Sequence, residues 1–274
     1  TTPAVRCEDV ARPDSATGGD TVTILTFKPD DADAEQSTAV TAAGGNVYSS
    51  TKGLYVTSTQ WDQRGWLRRQ LTDPKVTTEI HKFSLSGLDT QYVASGSLVG
   101  TVRDQWSMDE HKGDLRVARS LPDSSGQTNA NGVAVLRQDG KTLKQIGSID
   151  DLGINEEIQS VRWLNDLAIV VTFRQVDPLY TIDLSDPAAP KKLGELKIPG
   201  FSAYLHPIGQ DQLIGIGVDA DTQGRMLGAQ LATFDLSDPA AVRQIQLARF
   251  GADSTLMATY DPKAFTWLPE SRRA

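Results

Sequence analysis

A chain of 274 residues is long enough to bury a large core, either as one large β-domain or as two ordinary domains. Its 27 Lys and Arg against 35 Asp and Glu leave a net charge of −8, which argues against a general nucleic-acid surface. No apolar run reaches the roughly 18 residues of a membrane helix, and no signal peptide is recognisable. The single cysteine, Cys7, excludes a disulfide within the chain and zinc sites built on several cysteines. A lone thiol fits a cytosolic protein, or an exported one whose partner cysteine lies elsewhere.

In chain order, residues 1–20 read as an irregular arm. Thr21–Lys28 and a strand near Thr38–Ala42 form the end of a partial blade over residues 21–45. A four-strand unit over about 46–100 follows, with an inner strand at Leu54–Thr57 and an outer one at Tyr92–Ser95. Trp61, Trp66, Leu67 and Leu71 have helical spacing, which predicts a helical insertion over Trp61–Pro74. The unit at 101–152 has strands at Gln105–Met108, Leu115–Ala118 and Lys144–Ile149, with a Ser/Asn/Gly-rich loop at Leu121–Asn131. In the unit at 153–200, Ser160–Leu164 is followed by the turn Asn165-Asp166 and then by Leu167–Thr172. That last run is apolar throughout, as in a strand covered on both faces. The unit at 201–251 repeats the plan with Ser202–Leu205, Leu213–Gly217 and Arg243–Arg249. A first strand at Ala264–Leu268 belongs to a partial blade at 252–268, before a tail at 269–274.

The architecture follows from a repeated phrase. Thr181-Ile-Asp-Leu-Ser-Asp-Pro187 recurs as Thr233-Phe-Asp-Leu-Ser-Asp-Pro239, 52 residues later. Phe27, Phe83, Val135, Ile182 and Phe234 hold equivalent places at intervals of 56, 52, 47 and 52 residues. Four short strands per unit of roughly 50 residues is the size of a β-propeller blade. The predicted fold is therefore an all-β propeller with about four complete blades and partial blades at both ends. Either the two ends join in a small ring of about five blades, or the chain is a piece of a larger ring.

Several stretches carry a family resemblance. They are Ser160-Val-Arg-Trp-Leu-Asn165, Thr172-Phe-Arg-Gln-Val-Asp-Pro-Leu179, Leu196-Lys-Ile-Pro-Gly200, Tyr204-Leu-His-Pro207 and Gly215-Ile-Gly-Val-Asp-Ala-Asp221. With Ala94–Ser97, Gln105–Met108 and Tyr260–Phe265, they resemble secreted bacterial and archaeal proteins with a C-terminal β-propeller domain distantly related to WD40 repeats. The resemblance covers most of residues 21–268. It implies a secreted or cell-surface protein, further blades beyond this chain and a partner elsewhere for Cys7. It implies no particular activity.

Loops on one face of such blades form the candidate ligand face: Arg103, Asp104, Arg174, Asp177, Tyr204, His206, Arg225, Tyr260 and Asp261. The alternative is a polar rim of solvated turns. Asp219 and Asp221, alternating before Gly224, resemble half of a calcium loop and are the candidate Ca²⁺ ligands, with a hairpin turn of Asx-type bonds as the alternative. Asp183, Asp186, Asp235 and Asp238 read as turn devices. His81, His111 and His206 are scattered and lack zinc-hydrolase spacing. Trp106, Trp163 and Trp267 read as blade-packing residues, with a sugar-stacking platform as the alternative. No nucleophile elbow, Walker loop or dinucleotide fingerprint is present. The leading expectation is a non-catalytic extracellular binding module, with no required cofactor, for an unknown protein or carbohydrate, or for absent segments of its own full-length protein. The rival is an extracellular hydrolase or lyase on polysaccharide or peptide, using acidic residues and His206 near the propeller axis.

Overall fold

The structure, a computed structural model, describes residues 4–15, 18–61, 76–123, 127–174, 177–221 and 223–274, with the side chains of residues 32–34, 61 and 177 outside that description. The predicted helical insertion therefore lies, beyond Trp61, outside the described residues. The fold is all-β. A small N-terminal sheet holds β1 (Val10–Ala11), β2 (Thr21–Lys28) and β3 (Asp31–Thr41) in the order β1-β3-β2. Four four-stranded blades follow. The first is β4 (Val47–Ser49), β5 (Gly53–Trp61), β6 (Val76–Ser86) and β7 (Asp89–Val99). The second is β8 (Met108–His111), β9 (Asp114–Pro122), β10 (Thr128–Asp139) and β11 (Thr142–Leu152). The third is β12 (Glu157–Leu164), β13 (Leu167–Phe173), β14 (Asp177–Asp183) and β15 (Lys191–Ile198). The fourth is β16 (Phe201–Pro207), β17 (Gln212–Ala220), β18 (Met226–Asp235) and β19 (Arg243–Arg249).

The chain divides into two compact units, residues 1–127 with 134–146, and residues 128–133 with 147–274. In the first unit, the two faces of the first blade are buried separately. Phe83 and Val56 pack with Val40 and Ala42 of the N-terminal sheet. Tyr55, Ile80, Ala94 and Leu98 face Leu115, Val117, Leu136 and Leu143 of the second blade. The outer strands β7 and β11 also meet in a parallel bridge, Thr142 opposite Ser95.

In the second unit, Ile169, Val171, Leu179 and Ile198 pack against Leu205, Leu213, Ala232 and Phe234 of the next blade. This two-sided cover explains the unbroken apolar run of β13, where Ala168, Ile169, Val170 and Val171 have no exposed surface. By contrast β2, covered on one side, alternates between exposed and half-buried residues. The far face of the fourth blade carries Ile214 and Ile216. It is covered by the C-terminal segment through Leu256, Ala258, Phe265 and Trp267.

The repeated turn has an identical bond pattern in its two copies. Asp183 Oδ1 accepts from Ser185 N at 2.8 Å, and Asp235 Oδ1 from Ser237 N at 3.0 Å. Asp186 and Asp238 each accept from the backbone N–H two residues on. The turn also docks on the preceding blade. The carbonyls of Pro187 and Ala188 lie over Gly147 of β11, and those of Pro239 and Ala240 over Gly194 of β15. A Cβ on Gly194 would stand 2.8 Å from both oxygens, so only glycine admits that approach.

Three expectations are corrected. Ala264–Leu268 forms no strand: Asp261 caps a 3-10 turn at Pro262–Ala264 by accepting from Lys263 N at 3.0 Å, with Pro262 at its first position. Gln105–Ser107 is likewise a 3-10 turn ahead of β8, capped by Asp104, whose Oδ1 accepts from Ser107 N and Ser107 Oγ at 3.0 Å. Phe27 does not share the burial of its repeat counterparts. It is 59% exposed, whereas Phe83, Val135, Ile182 and Phe234 are fully buried, because its face of β2 has no cover among the described residues.

Candidate functional site

The predicted ligand-face residues are divided between the two units. Arg103 and Asp104 lie together in the first unit, half-exposed and 3.6 Å apart at Nε and Oδ2. The rest lie in the second unit. Arg174 is exposed at the end of β13. Its charge, with that of Lys197, tempers the upward push of burial on the Glu156 carboxyl, to which Thr172 Oγ1 donates at 2.5 Å. The backbone of Asp177 opens β14, and its side chain lies outside the described residues. Tyr260 is 75% exposed, too open for a pocket residue, and Asp261 is spent on its turn.

Asp219 and Asp221 are turned to different arginines. Asp219, buried, forms an ion pair with Arg249, Nε to Oδ2 at 2.9 Å, while its Oδ1 has no hydrogen-bond partner among the described residues. Asp221 accepts from Gln223 N, Arg225 N and Arg225 Nε at 2.9, 3.0 and 2.7 Å. The Arg225 bonds hold its carboxyl below the usual carboxylate range. The pairing of β17 with β18 shifts register between Asp219 and Ala220, where Leu227 is the extra residue on β18.

Tyr204 and His206 are brought together. They alternate on β16, so both face the C-terminal segment, and Tyr204 Oη lies 3.0 Å from His206 Nδ1. Phe265 covers them, its ring 5.7 Å from Tyr204 and 4.9 Å from His206. Burial, then the Arg162 guanidinium, lowers the proton affinity of His206. Arg162 sits on β12, whose neighbour is β16: Ser160 Oγ donates to Ser202 O at 2.6 Å. The signal for Arg162 in the sequence was a charge inside the otherwise packed Ser-Val-Arg-Trp-Leu strand. Of the tryptophans, Trp267 packs on the fourth blade, Trp163 is half-buried and Trp106 is 48% exposed.

Sequence reasoning missed the first unit's cleft, of about 620 Å³. It is built from three segments: Arg6 and Asp9 of the arm, Glu35–Thr38 of β3, and Asp89–Tyr92 at the start of β7. The arm is held by parallel pairing of β1 with β3, Val10 opposite Ala39, and by the bond from Thr38 Oγ1 to Asp9 O at 3.4 Å. Thr26 and Thr90 hydroxyls, 2.9 Å apart, join β2 to the first blade. Arg6 pairs with Asp9 at 2.7 Å, and Gln91 Nε2 donates to both oxygens of Asp89 at 3.1 and 2.9 Å. The lining thus offers carboxylates, amides and hydroxyls with one aromatic ring, Tyr92. Beneath it, Tyr92 stacks edge-on to Phe83 at 5.3 Å and its hydroxyl lies 3.3 Å from Nδ1 of the fully buried His81. No sequence signal marked this cleft, because its three segments are polar turns and strand ends far apart in the chain.

Among the described residues no group of three or more metal-ligating side chains converges, and no helix is long and apolar enough to cross a membrane. The sequence model of the Beta propeller domain family matches residues 1–274. An uncharacterized protein of Methanocaldococcus jannaschii is 39% identical over 181 residues, covering 66% of this chain and 28% of the relative. An uncharacterized protein of Archaeoglobus fulgidus is 38% identical over 166 residues, covering 60% of this chain and 25% of the relative. The chain thus matches little more than a quarter of the length of these curated relatives.

Proposed function

The chain belongs to the β-propeller domain family, and we propose that it is a non-catalytic binding module whose first-unit cleft takes a hydroxyl-rich ligand, a neutral oligosaccharide. The observation that carries this reading is the lining itself. Carboxylates of Asp89 and Glu35 and the amides of Gln36 and Gln91 supply acceptors and donors, and Tyr92 supplies an aromatic edge. A cleft this polar suits a ligand that brings many hydroxyls and would reject an apolar one. The rival hydrolase reading gains little support: His206 is bonded to Tyr204 and neighbours a cation rather than a carboxylate base or acid. Export to the cell exterior and a distant kinship with WD40 repeats belong to the same proposal and rest on the family resemblance.

The test is a thermal-shift and calorimetric titration with neutral trisaccharides, beside Asp89→Ala and Gln91→Ala. A ligand that binds only the folded state raises stability by about 2.7 kcal/mol at a hundredfold excess over its dissociation constant. The expected result is a saturable rise that both variants lose, with no new reducing ends. Released reducing ends would install the hydrolase reading instead, and a flat titration across the panel would remove the cleft as a sugar site. A calcium role for Asp219 and Asp221 requires displacement of Arg249 and Arg225, so affinity would be weak, about millimolar. A melt in millimolar calcium that rises for the native chain and not for Asp219→Ala/Asp221→Ala would support that role, and equal melts would end it.

A further inference from the structure

Arg162 is half-buried on β12, the neighbour of the β16 strand that carries Tyr204 and His206, and its Nε is buried with no hydrogen-bond partner among the described residues. Among those residues Arg162 is the one charge acting on Tyr204 or His206, and no carboxylate answers it. A guanidinium donor withdrawn from water and left unmatched is costly, so the arrangement favours an incoming acceptor. Tyr204 and His206 supply a second donor whichever way their shared hydrogen points. If Tyr204 Oη donates to His206 Nδ1, then Nε2 carries the remaining N–H; if Nδ1 donates, the tyrosine hydroxyl is free to donate outward. Phe265 closes one side of the group and keeps water from that flank.

We propose that Arg162, Tyr204 and His206 bind the carboxylate group of a small acidic solute. The planar fork of an arginine matches the two oxygens of a carboxylate. Burial and the Arg162 charge keep His206 neutral near pH 7, so the group carries one positive charge and matches a monoanion better than a phosphate dianion. The chain's net charge of −8 further disfavours multiply charged anions. The carboxylate could be borne by a free organic acid or by a uronic sugar. The site lies in the second unit and shares no residue with the first-unit cleft, so its fate and that of the sugar reading are separable.

The test follows the imidazole resonances of His206 at pH 7 and constant ionic strength while sodium acetate, sodium glucuronate or sodium phosphate is added. Acetate and glucuronate are expected to give saturable shifts with dissociation constants of about a millimolar, as a four-atom contact allows. Phosphate should be weaker by about tenfold, and Arg162→Met should lose the acetate response by about tenfold or more. Glucuronate binding well above acetate would point to a sugar source, and equal binding to a free acid. A linear, non-saturating response of the native chain would overturn the proposal without any variant. So would equal constants for acetate and phosphate. Should Arg162→Met not fold, Arg162→Lys keeps the charge and removes the fork, and an unchanged acetate constant there would also overturn it.

Discussion

His81 is the buried titratable group with the clearest consequence. It has no exposed surface, one ring nitrogen lies near Tyr92 Oη, and Nε2 has no partner among the described residues. Burial therefore pushes its proton affinity below the ordinary 6.5. The unfolded chain then takes up a proton that the folded chain refuses. Stability from this group is full above pH 6.5 and falls as pH drops from there towards the folded value. Glu79, buried on the same face of β6, has the opposite sign. Burial raises its carboxyl above 4.5, so its contribution falls as pH rises from 4.5 through the folded value. Urea denaturation at pH 7.5 and 5.5 is expected to show native stability falling with pH, with a smaller drop in His81→Gln. An equal drop in both proteins would mean that His81 does not set the slope.

At the scale of the element, the repeated Asp-Leu-Ser-Asp-Pro turn is a fastener between blades as well as a reversal of the chain. Each copy satisfies its own backbone with aspartate side chains, then lays two carbonyls over a glycine of the outer strand behind it. Thr181 Oγ1 donates to Pro239 O at 2.5 Å, tying the third blade to the turn of the fourth. Gly96 of β7 is likewise approached closely, by the carbonyl and Cβ of Leu143 on β11. Gly96, Gly147 and Gly194 are thus a second repeat, hidden because a glycine also reads as a turn or bulge. Gly194→Ala is expected to destabilise the protein by about 1–3 kcal/mol through overpacking. Gly19→Ala meets nothing within 4 Å and should stay within about 0.5 kcal/mol of native. Chemical denaturation of both variants measures this, and a neutral Gly194→Ala would show that the turn can retreat at little cost.

At the scale of the molecule, each unit has a blade face covered by chain from outside the four complete blades. The N-terminal sheet packs Val22, Ile24 and Val40 on Phe83 and Leu54 of the first blade. In the other unit, residues 256–267 pack Leu256, Ala258, Phe265 and Trp267 on Ile214, Ile216 and Leu231. Open blade faces are sticky, since each carries apolar side chains meant for a neighbour. Removing residues 252–274 should expose Ile214 and Ile216, enhance the fluorescence of an apolar dye and drive self-association seen by light scattering. A truncated chain that stays monomeric with native circular dichroism would show that the segment is no cover.

What the sequence by itself determined about this protein is what depends on neighbours along the chain. Strand alternation, the 52-residue spacing of Thr181–Pro187 and Thr233–Pro239, and the aspartate-capped turns all arise from bonds spanning a few residues. They were therefore legible as pattern, and with them the propeller fold. Local pattern also misled where burial depends on a neighbouring sheet, as at Phe27, and where an aspartate cap outcompetes a strand, as at Asp261. The sites were decided only by tertiary structure. Asp219 pairs with Arg249 and Asp221 with Arg225, Arg162 is brought near Tyr204 and His206 by the packing of β12 beside β16, and the first cleft needs the arm, β3 and β7 together. Charges and hydrogen bonds choose partners by distance in space, and that distance is set by which blade packs beside which.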